Sequence, residues 1–402
     1  MKANQLLAPW KGDKRFTEMS IRAAALKKQG RTAEQIVAAI SAEFGPPAEL
    51  ARLREEPRPY AVFGEIGADI ERPALAQLEL ALRLPVALAG ALMPDGHPGV
   101  ALPVGGVLAT HKAVAPALVG VDIGCRMHLT VFADDPAEFL RRRPELFAEL
   151  QAATFFGADT QRVPGRPKAA DHPILDDPRW NLTAQTRGLR AKAAAQLGTS
   201  GSGNHFANLM LGERIDPASG LPASFCALLT HSGSRGVGFA IANHYIRVAA
   251  QETARIANVP RLYEWLDLDG EAGQEYWQAM ELAGAFAQAC HEVIHASFAR
   301  RAGLAPATVI QNHHNFAWRD GDRVIHRKGA TPAEAGTLGV IPGSMGSASY
   351  VVEGCGVPEA LSSAAHGAGR AASRKAARDS ISPREARRLL EQADVLVEGL
   401  SV

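Results

Sequence analysis

Val121-Asp122-Ile123-Gly124-Cys125-Arg126-Met127 is the stretch from which the fold is read. The small and apolar run Pro116 to Gly120 leads into it, so the pattern predicts a buried strand that stops abruptly at Gly124. A tight turn there lets Asp122 and Cys125 face one point from two sides. A carboxylate and a thiolate so placed make a candidate metal site, because both are anionic donors for divalent ions. An Asp and a Cys beside a turn also occur with no ligand between them. The metal reading gains weight from later segments that join histidines to Gly, Ser or Asn beside short apolar runs.

Working outward, Leu197-Gly198-Thr199-Ser200-Gly201-Ser202-Gly203-Asn204-His205-Phe206 is glycine-rich, yet it is neither a Walker loop nor a dinucleotide fingerprint. It can bring backbone close to a phosphate or metal and deliver Asn204 and His205 there; a packed core histidine is the alternative. Leu228 to Gly236 reads as a strand ending at His231, followed by Ser232, Ser234 and Arg235, donors that suit phosphate oxygens. In Gln311-Asn312-His313-His314-Asn315, adjacent histidines on an extended segment point opposite ways, so one serves a metal and the other packs. Gly343 to Tyr350 is a hydroxyl-rich turn suited to a nucleotide, and His326-Arg327-Lys328 adds local positive charge. His366 sits beside Gly367, Gly369 and Arg370, where an imidazole can act as a nucleophile toward phosphorus, or can simply cap or pack.

The 402 residues, with 38 Gly, 25 Pro and 47% apolar content, suit one large α/β body or two domains. A net charge of +1 provides no global field for nucleic acid, so a polyanion must be held by local patches. Arg162, Arg166 and Lys168 in a basic loop, with Arg190 and Arg235, are the candidates. No stretch reaches the roughly 18 apolar residues of a membrane span, and the start lacks signal-peptide form. Cys125, Cys226, Cys290 and Cys355 are far apart with no Cys-x-x-Cys pair, so a reduced, cytoplasmic setting is expected.

Thr32 and Gln35 predict a capping box opening a helix that runs to about Phe44. Further helices are expected over 73–83, 182–197, 239–256 and 271–300, with closing helices over 375–397. Residues 1–60 then read as a helical appendage and 61–402 as a catalytic body with helical insertions at about 134–196 and 239–300. His291-Glu292-Val293-Ile294-His295 matches the zinc-peptidase pattern on a helix, but no third ligand follows at the usual spacing and the helix is a periodic packing helix.

Val121-Asp122-Ile123-Gly124-Cys125, Gly203-Asn204-His205-Phe206, His231 to Gly236, His313-His314-Asn315, His326 to Ala330, Pro342 to Gly346 and His366 to Arg370, in that order, resemble the RtcB family of 3′-phosphate RNA-splicing ligases. The likeness runs from about Met93 to Arg374. It implies an RtcB-type compact mixed α/β body with a central metal cleft, and two Mn2+ ions bridged by Cys125. Asp122 and His205 would complete one side, and His231 and His314 the other. It implies that His366 attacks the α-phosphate of GTP, and that Asn204, Phe206, Asn208, Ser344, Ser349, Gly367 and Arg370 line the nucleotide. The guanylate then activates an RNA 3′-phosphate for attack by a 5′-hydroxyl, a 2′,3′-cyclic phosphate first being opened by hydrolysis. RNA with such ends is the implied partner, with room for an activating protein.

The chain departs from the family pattern at three places. Asn208 stands where the pattern has a nucleotide-contacting glutamate, and Arg126 stands where it has glycine, adding bulk and charge at the mouth of the metal site. The chain closes on Gly399-Leu400-Ser401-Val402, where the family pattern has a terminal lysine segment reaching guanine. Weakened guanine selectivity is therefore expected. A dinuclear metal phosphohydrolase or cyclic phosphodiesterase acting on RNA ends, and a non-catalytic RNA-binding protein, are the alternatives. Label from α-labelled GTP on His366 separates the ligase from both.

Overall fold

The computed structural model describes residues 6–7, 10, 13, 15–46, 49–157, 171–367, 369 and 379–398. At its start two helices, α1 (Phe16–Lys28) and α2 (Ala33–Phe44), form a hairpin. The Thr32 hydroxyl accepts from the Gln35 backbone N–H at 3.3 Å and the Gln35 side-chain Oε1 accepts from the Thr32 N–H at 3.1 Å, so the capping box forms as its spacing requires. Met19, Ala23, Leu26, Ile36 and Ile40 bury against Leu7 and Trp10, which precede the hairpin, in a cluster drawn from the first 44 residues.

The chain then enters the body. Strand β1 (Tyr60–Val62), helix α3 (Arg72–Leu82), β2 (Ala87–His97) and β3 (Val104–His111) come first. Next are the one-turn α4 (Pro116–Val119) and β4 (Arg126–Phe132). Helices α5 (Pro136–Arg141), α6 (Arg143–Ala153) and α7 (Ala184–Gln196) lead to β5 (Phe206–Glu213) and β6 (Ser224–Ser232). The two longest helices follow, α8 (Arg235–Thr253) and α9 (Glu271–Ala302). The remainder is β7 (Pro306–His313), β8 (Phe316–Asp320), β9 (Arg323–Lys328), β10 (Ala330–Pro332), β11 (Leu338–Ile341), β12 (Tyr350–Glu353), β13 (Ser363–Ala365) and α10 (Pro383–Gln392). One sheet has the order β8-β9-β3-β2-β1 and a second, wholly antiparallel, has β7-β4-β6-β5.

The apolar run 116–120 is not the strand its composition predicted. Pro116 opens a single helical turn after Ala115, Gly120 (φ 101°) ends it, and the strand begins only at Arg126, beyond the Asp122–Cys125 turn. A short run buried on every side carries no period, so helix and strand look alike in sequence. Helix α8 likewise starts four residues before the expected 239. Gly236 and Gly238 mask the start by their low helix propensity, while the Gly236 N–H is held by the Gln196 side-chain oxygen at 3.0 Å.

Helices α8 and α9 supply most of the largest apolar cluster, with Ile241, Tyr245, Tyr276, Met280, Phe286 and Cys290 at its centre. Helix α9 extends past it along the second sheet, where Phe298 packs on Phe132. The strands of that sheet alternate accordingly. Met127, Leu129 and Val131 join Ala227, Leu229 and Ile310 on one face, and His128 and Thr130 turn toward α9. Among the described residues no helix is long and apolar enough to cross a membrane.

Candidate metal centre

Antiparallel pairing brings four distant segments to one end of the second sheet. Cys125 immediately precedes β4, His205 immediately precedes β5, His231 is near the end of β6, and His314 follows β7. Met127 pairs with His231, His231 with Phe206, and Arg126 with His313, so the register places these side chains together.

Two ligand groups result, and they share Cys125. One is Cys125, His231 and His314; the other is Asp122, Cys125 and His205, the ligand atoms of each lying within 4.8 Å of one another. Cys125 Sγ is 3.2 Å from His231 Nε2 and 3.6 Å from His205 Nε2. His231 Nδ1–H donates to the Asn204 carbonyl at 3.1 Å and His205 Nδ1–H donates to the Ser200 carbonyl at 3.0 Å. Those carbonyls assign the tautomers and leave both Nε2 atoms with bare lone pairs. The first lone pair faces His314 Nε2 at 3.2 Å, and the second faces Asp122 Oδ2 at 3.1 Å. Electron pairs directed at one another at these distances call for a cation or a proton between them. His314 Nδ1, buried without a hydrogen-bond partner, adds to the deficit. A thiolate with three imidazoles and a carboxylate fits a borderline divalent metal, and carbonyls that accept the far ring N–H, as those of Ser200 and Asn204 do, orient such ligands.

Burial and charge agree with that fit. Burial pushes His231 down to about 3 and His314 well below its ordinary value, so both are neutral donors at pH 7. Burial, reinforced by the Asp122 carboxylate, pushes the Cys125 thiol far up, so its ionisation depends on a cation beside it. Burial works to raise Asp122, yet His205 and Cys125 hold it below the usual carboxylate range.

The turn is built on close backbone approach. A Cβ at Gly233 would lie 2.1 Å from Asp122 Oδ1, and one at Gly124 would lie 2.8 Å from the Gly284 Cα of α9. Asn315, at φ 54°, ties the turn to its surroundings. Its carbonyl accepts the Gly124 N–H at 3.0 Å, its amide donates to the Asp122 carbonyl at 3.4 Å, and its side-chain oxygen accepts the Gly329 N–H at 3.0 Å. No sequence reading singled out this clip; its signal was its position directly after His314.

The His366 ring lies 4.7 Å from the His314 ring, centroid to centroid and tilted 59° to it, and a Cβ at Gly329 would lie 3.2 Å from His366 Cε1. Phe206 packs 5.6 Å from the His231 ring, and Asn208, two residues along β5, shares that face. Asn204 is exposed. Ser344 and Ser349 lie in the loop between β11 and β12, where the Ser349 hydroxyl accepts the Gly343 N–H at 3.1 Å. Gly367 adjoins that loop, since a Cβ there would meet Pro342 at 4.0 Å. Arg370, the basic-loop residues Arg162, Arg166 and Lys168, and residues 399–402 lie outside the described residues. Arg190 is exposed and paired with Asp176 at 2.7 Å, whereas Arg235 is partly buried and donates to Thr199 and to the Gly157 carbonyl. His313 turns away from the cluster and packs on Phe316 and Trp318.

One sequence reading changes here, and another holds. Arg126 is not at the mouth of the site: it is 5% exposed and runs beneath the turn, donating to Gln288, Gln311 and the Gly284 carbonyl. Residue type alone does not give the direction of a side chain at a strand's start. His291 and His295 share a helix face but do not converge on a metal. His291 Nε2–H donates to the Ser232 carbonyl at 3.2 Å and its Nδ1 accepts from the Thr230 hydroxyl at 2.6 Å. Thr230 in turn accepts from His295 Nε2–H at 2.7 Å, and His295 Nδ1 accepts from the Thr130 hydroxyl at 2.7 Å. Each proton in this buried chain has one place, and both histidines are neutral.

A cysteine shared by two ligand groups at the end of an antiparallel sheet, with a further histidine packed beside them, marks the chain as an α/β metalloenzyme. The sequence pattern of the tRNA-splicing ligase RtcB family matches residues 77–401, and the chain belongs to that family. It is 32% identical over 344 residues to the RNA-splicing ligase RtcB of Escherichia coli (strain K12), covering 79% of this chain and 82% of that protein. It is 30% identical over 379 residues to the tRNA-splicing ligase RtcB of Thermococcus kodakarensis, covering 77% and 78%. The RNA-splicing ligase RtcB of Mycobacterium tuberculosis is 30% identical over 372 residues, covering 77% and 86%.

Proposed function

We propose that the chain is a GTP- and manganese-dependent RNA ligase joining RNA 3′-phosphate or 2′,3′-cyclic phosphate ends to 5′-hydroxyl ends, with residues 1–60 an appendage to a catalytic body of 61–402. The observation that carries this reading is the Cys125-centred double ligand group with the His366 ring packed, tilted, against its His314. Cys125 would bridge two Mn2+, Asp122 and His205 completing one site and His231 and His314 the other. The ions would supply charge neutralisation at phosphoryl oxygens.

His366 is the nucleophile. Its imidazole nitrogen bonds to the α-phosphorus of GTP as the bond to the pyrophosphate oxygen breaks. An RNA 3′-phosphate oxygen then takes the phosphorus, breaking the N–P bond and returning the imidazole. Attack by a 5′-hydroxyl oxygen on the RNA phosphorus forms the phosphodiester and expels GMP. His314 and Gly329 form two walls of the imidazole's seat, so its rotation is restricted before GTP arrives. Asn204, Phe206, Ser344, Ser349, Gly367 and Arg370 would line the nucleotide. Arg190 and Arg235, with the basic loop, are the candidates for RNA phosphates. Four cysteines and a GTP-fed reaction suit a cytoplasmic setting.

Incubation with Mn2+ and α-labelled GTP should label the wild-type chain and leave His366→Ala unlabelled. Cyclic-phosphate opening with no labelled protein would replace the ligase by a phosphohydrolase. Asn208 presents one carboxamide oxygen where a glutamate would offer two charged acceptors to the guanine N–H groups. Asn208→Glu should therefore raise the GTP-over-ATP ratio of labelling kcat/KM by about tenfold, the size of one hydrogen bond to a charged group.

A further inference from the structure

Arg327 on β9 is 1% exposed, although a guanidinium is costly to bury. Burial lowers it only to about 10, so it carries its charge at pH 7. Its Cζ lies over the Trp318 ring, 4.6 Å from the centroid. Nε donates to the Ser363 hydroxyl at 2.8 Å, and Nη2 reaches the Leu361 carbonyl at 3.1 Å, the Ser362 carbonyl at 3.2 Å and Glu334 at 3.3 Å. Ser363 also donates to the Leu361 carbonyl at 2.9 Å. The cation is thus wrapped around one corner of the chain, residues 361–363.

That corner is unusual. Leu361 and Ser362 have φ of 50° and 47°, consecutive side-chain-bearing residues in the left-handed region. Such a backbone persists only where its surroundings over-determine it, and it concentrates at functional sites. Directly after it, β13 pairs with β10, Ser363 opposite Pro332 and Ala365 opposite Ala330, and the next residue is His366. On the other side, Arg327 is two residues before Gly329, the wall against which the His366 ring rests. One buried side chain therefore fixes both the approach to His366 and the surface behind it.

We propose that Arg327 is a positioning residue for His366: it clamps the strained 361–362 corner and so sets the line along which the imidazole meets the nucleotide. The proposal rests on His366 being the nucleophile. Arg327 touches neither the ligand groups nor the reacting atoms, so its effect should fall on the chemical step and spare binding.

The test uses the full chain and compares wild type with Arg327→Met, Arg327→Lys and Ser363→Ala. The readouts are the His366 labelling rate at saturating GTP, KM for GTP, Mn2+ affinity by electron paramagnetic resonance, and melting temperature. Arg327→Met should lower the saturating rate about 100-fold, the cost of a misplacement on the order of 1 Å, with KM and Mn2+ affinity changed by less than about threefold. Arg327→Lys, a point charge without the planar fork, should recover less than about a tenth of the wild-type rate. Ser363→Ala removes the Nε acceptor and the hydroxyl's own bond to the Leu361 carbonyl, and should cost roughly fivefold. If Arg327→Met does not fold, the other two variants decide. A wild-type saturating rate in folded Arg327 variants, or loss of Mn2+ affinity in step with the rate, overturns the proposal. Absence of label on wild-type protein overturns the nucleophile reading itself, which separates the two failures.

Discussion

Cys125 is the side chain that both ligand groups need, and its neighbours have no slack. Asp122 Oδ1 occupies the space where any Cβ at Gly233 would go, at 2.1 Å. Gly233→Ala must therefore push the carboxylate away from His205 and Cys125. We expect it to weaken Mn2+ binding at least tenfold, about 1.4 kcal/mol of lost coordination, as read by paramagnetic titration; unchanged affinity would detach Asp122 from the site. Cys125→Ala should remove both ion positions together. His291 tests a different kind of buried imidazole. His291→Ala takes away the acceptor of the Thr230 hydroxyl proton and the imidazole donor to the Ser232 carbonyl, deep in the protein. An unmet buried polar group costs about 1–3 kcal/mol and the truncation adds a cavity, so roughly 3–5 kcal/mol of stability should be lost in urea denaturation. A loss under about 1 kcal/mol would mean that the chain of protons is dispensable.

At the scale of elements, the interface of α9 with the second sheet makes stability depend on pH. Burial, then the neighbouring His128 and His295, drives His291 well below its ordinary value; burial and His128 do the same to His295. Burial, then Arg126, lowers His128 to about 4, and in the other sheet burial lowers His326, on β9 beside β3, to about 4. A histidine held neutral in the fold binds its proton more readily in the unfolded chain, so unfolding takes up protons below the unfolded value of about 6.5. Stability is then complete above about pH 6.5 and falls as pH drops toward 4, by about 1.4 kcal/mol per group for each unit of separation. Urea midpoints at pH 7.5 and 5 check the sign; a midpoint that rises on acidification contradicts it. Elements of this kind were legible where a period or a cap spoke for them. Helix α9 showed its apolar stripe and α2 its capping box. The turn of α4 was not legible, because four buried residues in a row carry no period, nor was the start of α8, masked by two glycines. The ligands stood out because histidines beside Gly, Ser and Asn mark strand ends. Asn315 and Arg327 stood in quoted motifs, Arg327 as local positive charge, but their structural roles did not show, because their work depends on backbone atoms that only the folded chain brings near.

Over the whole molecule, the ligand cluster links stretches far apart in the chain. Cys125 meets residues 80 and 106 positions away, and His231 meets His314 across 83. Without a cation these contacts set lone pairs against one another at one end of the sheet. Bound ions would turn that opposition into attraction in the native state alone, because the unfolded chain cannot gather Asp122, Cys125, His205, His231 and His314. Metal binding should therefore raise global stability by RT ln(1 + [L]/Kd), about 2.7 kcal/mol per ion at a hundred times Kd. Calorimetric melting with increasing Mn2+ should show a rising transition temperature, and chelation should reverse it. Two sites that share a thiolate should give a rise in two stages or a single steep one, and Cys125→Ala should leave the melting temperature independent of Mn2+. A wild-type transition that ignores both Mn2+ and chelator would mean that the cluster is joined by protons rather than metal, and the phosphoryl chemistry proposed for it would lose its basis.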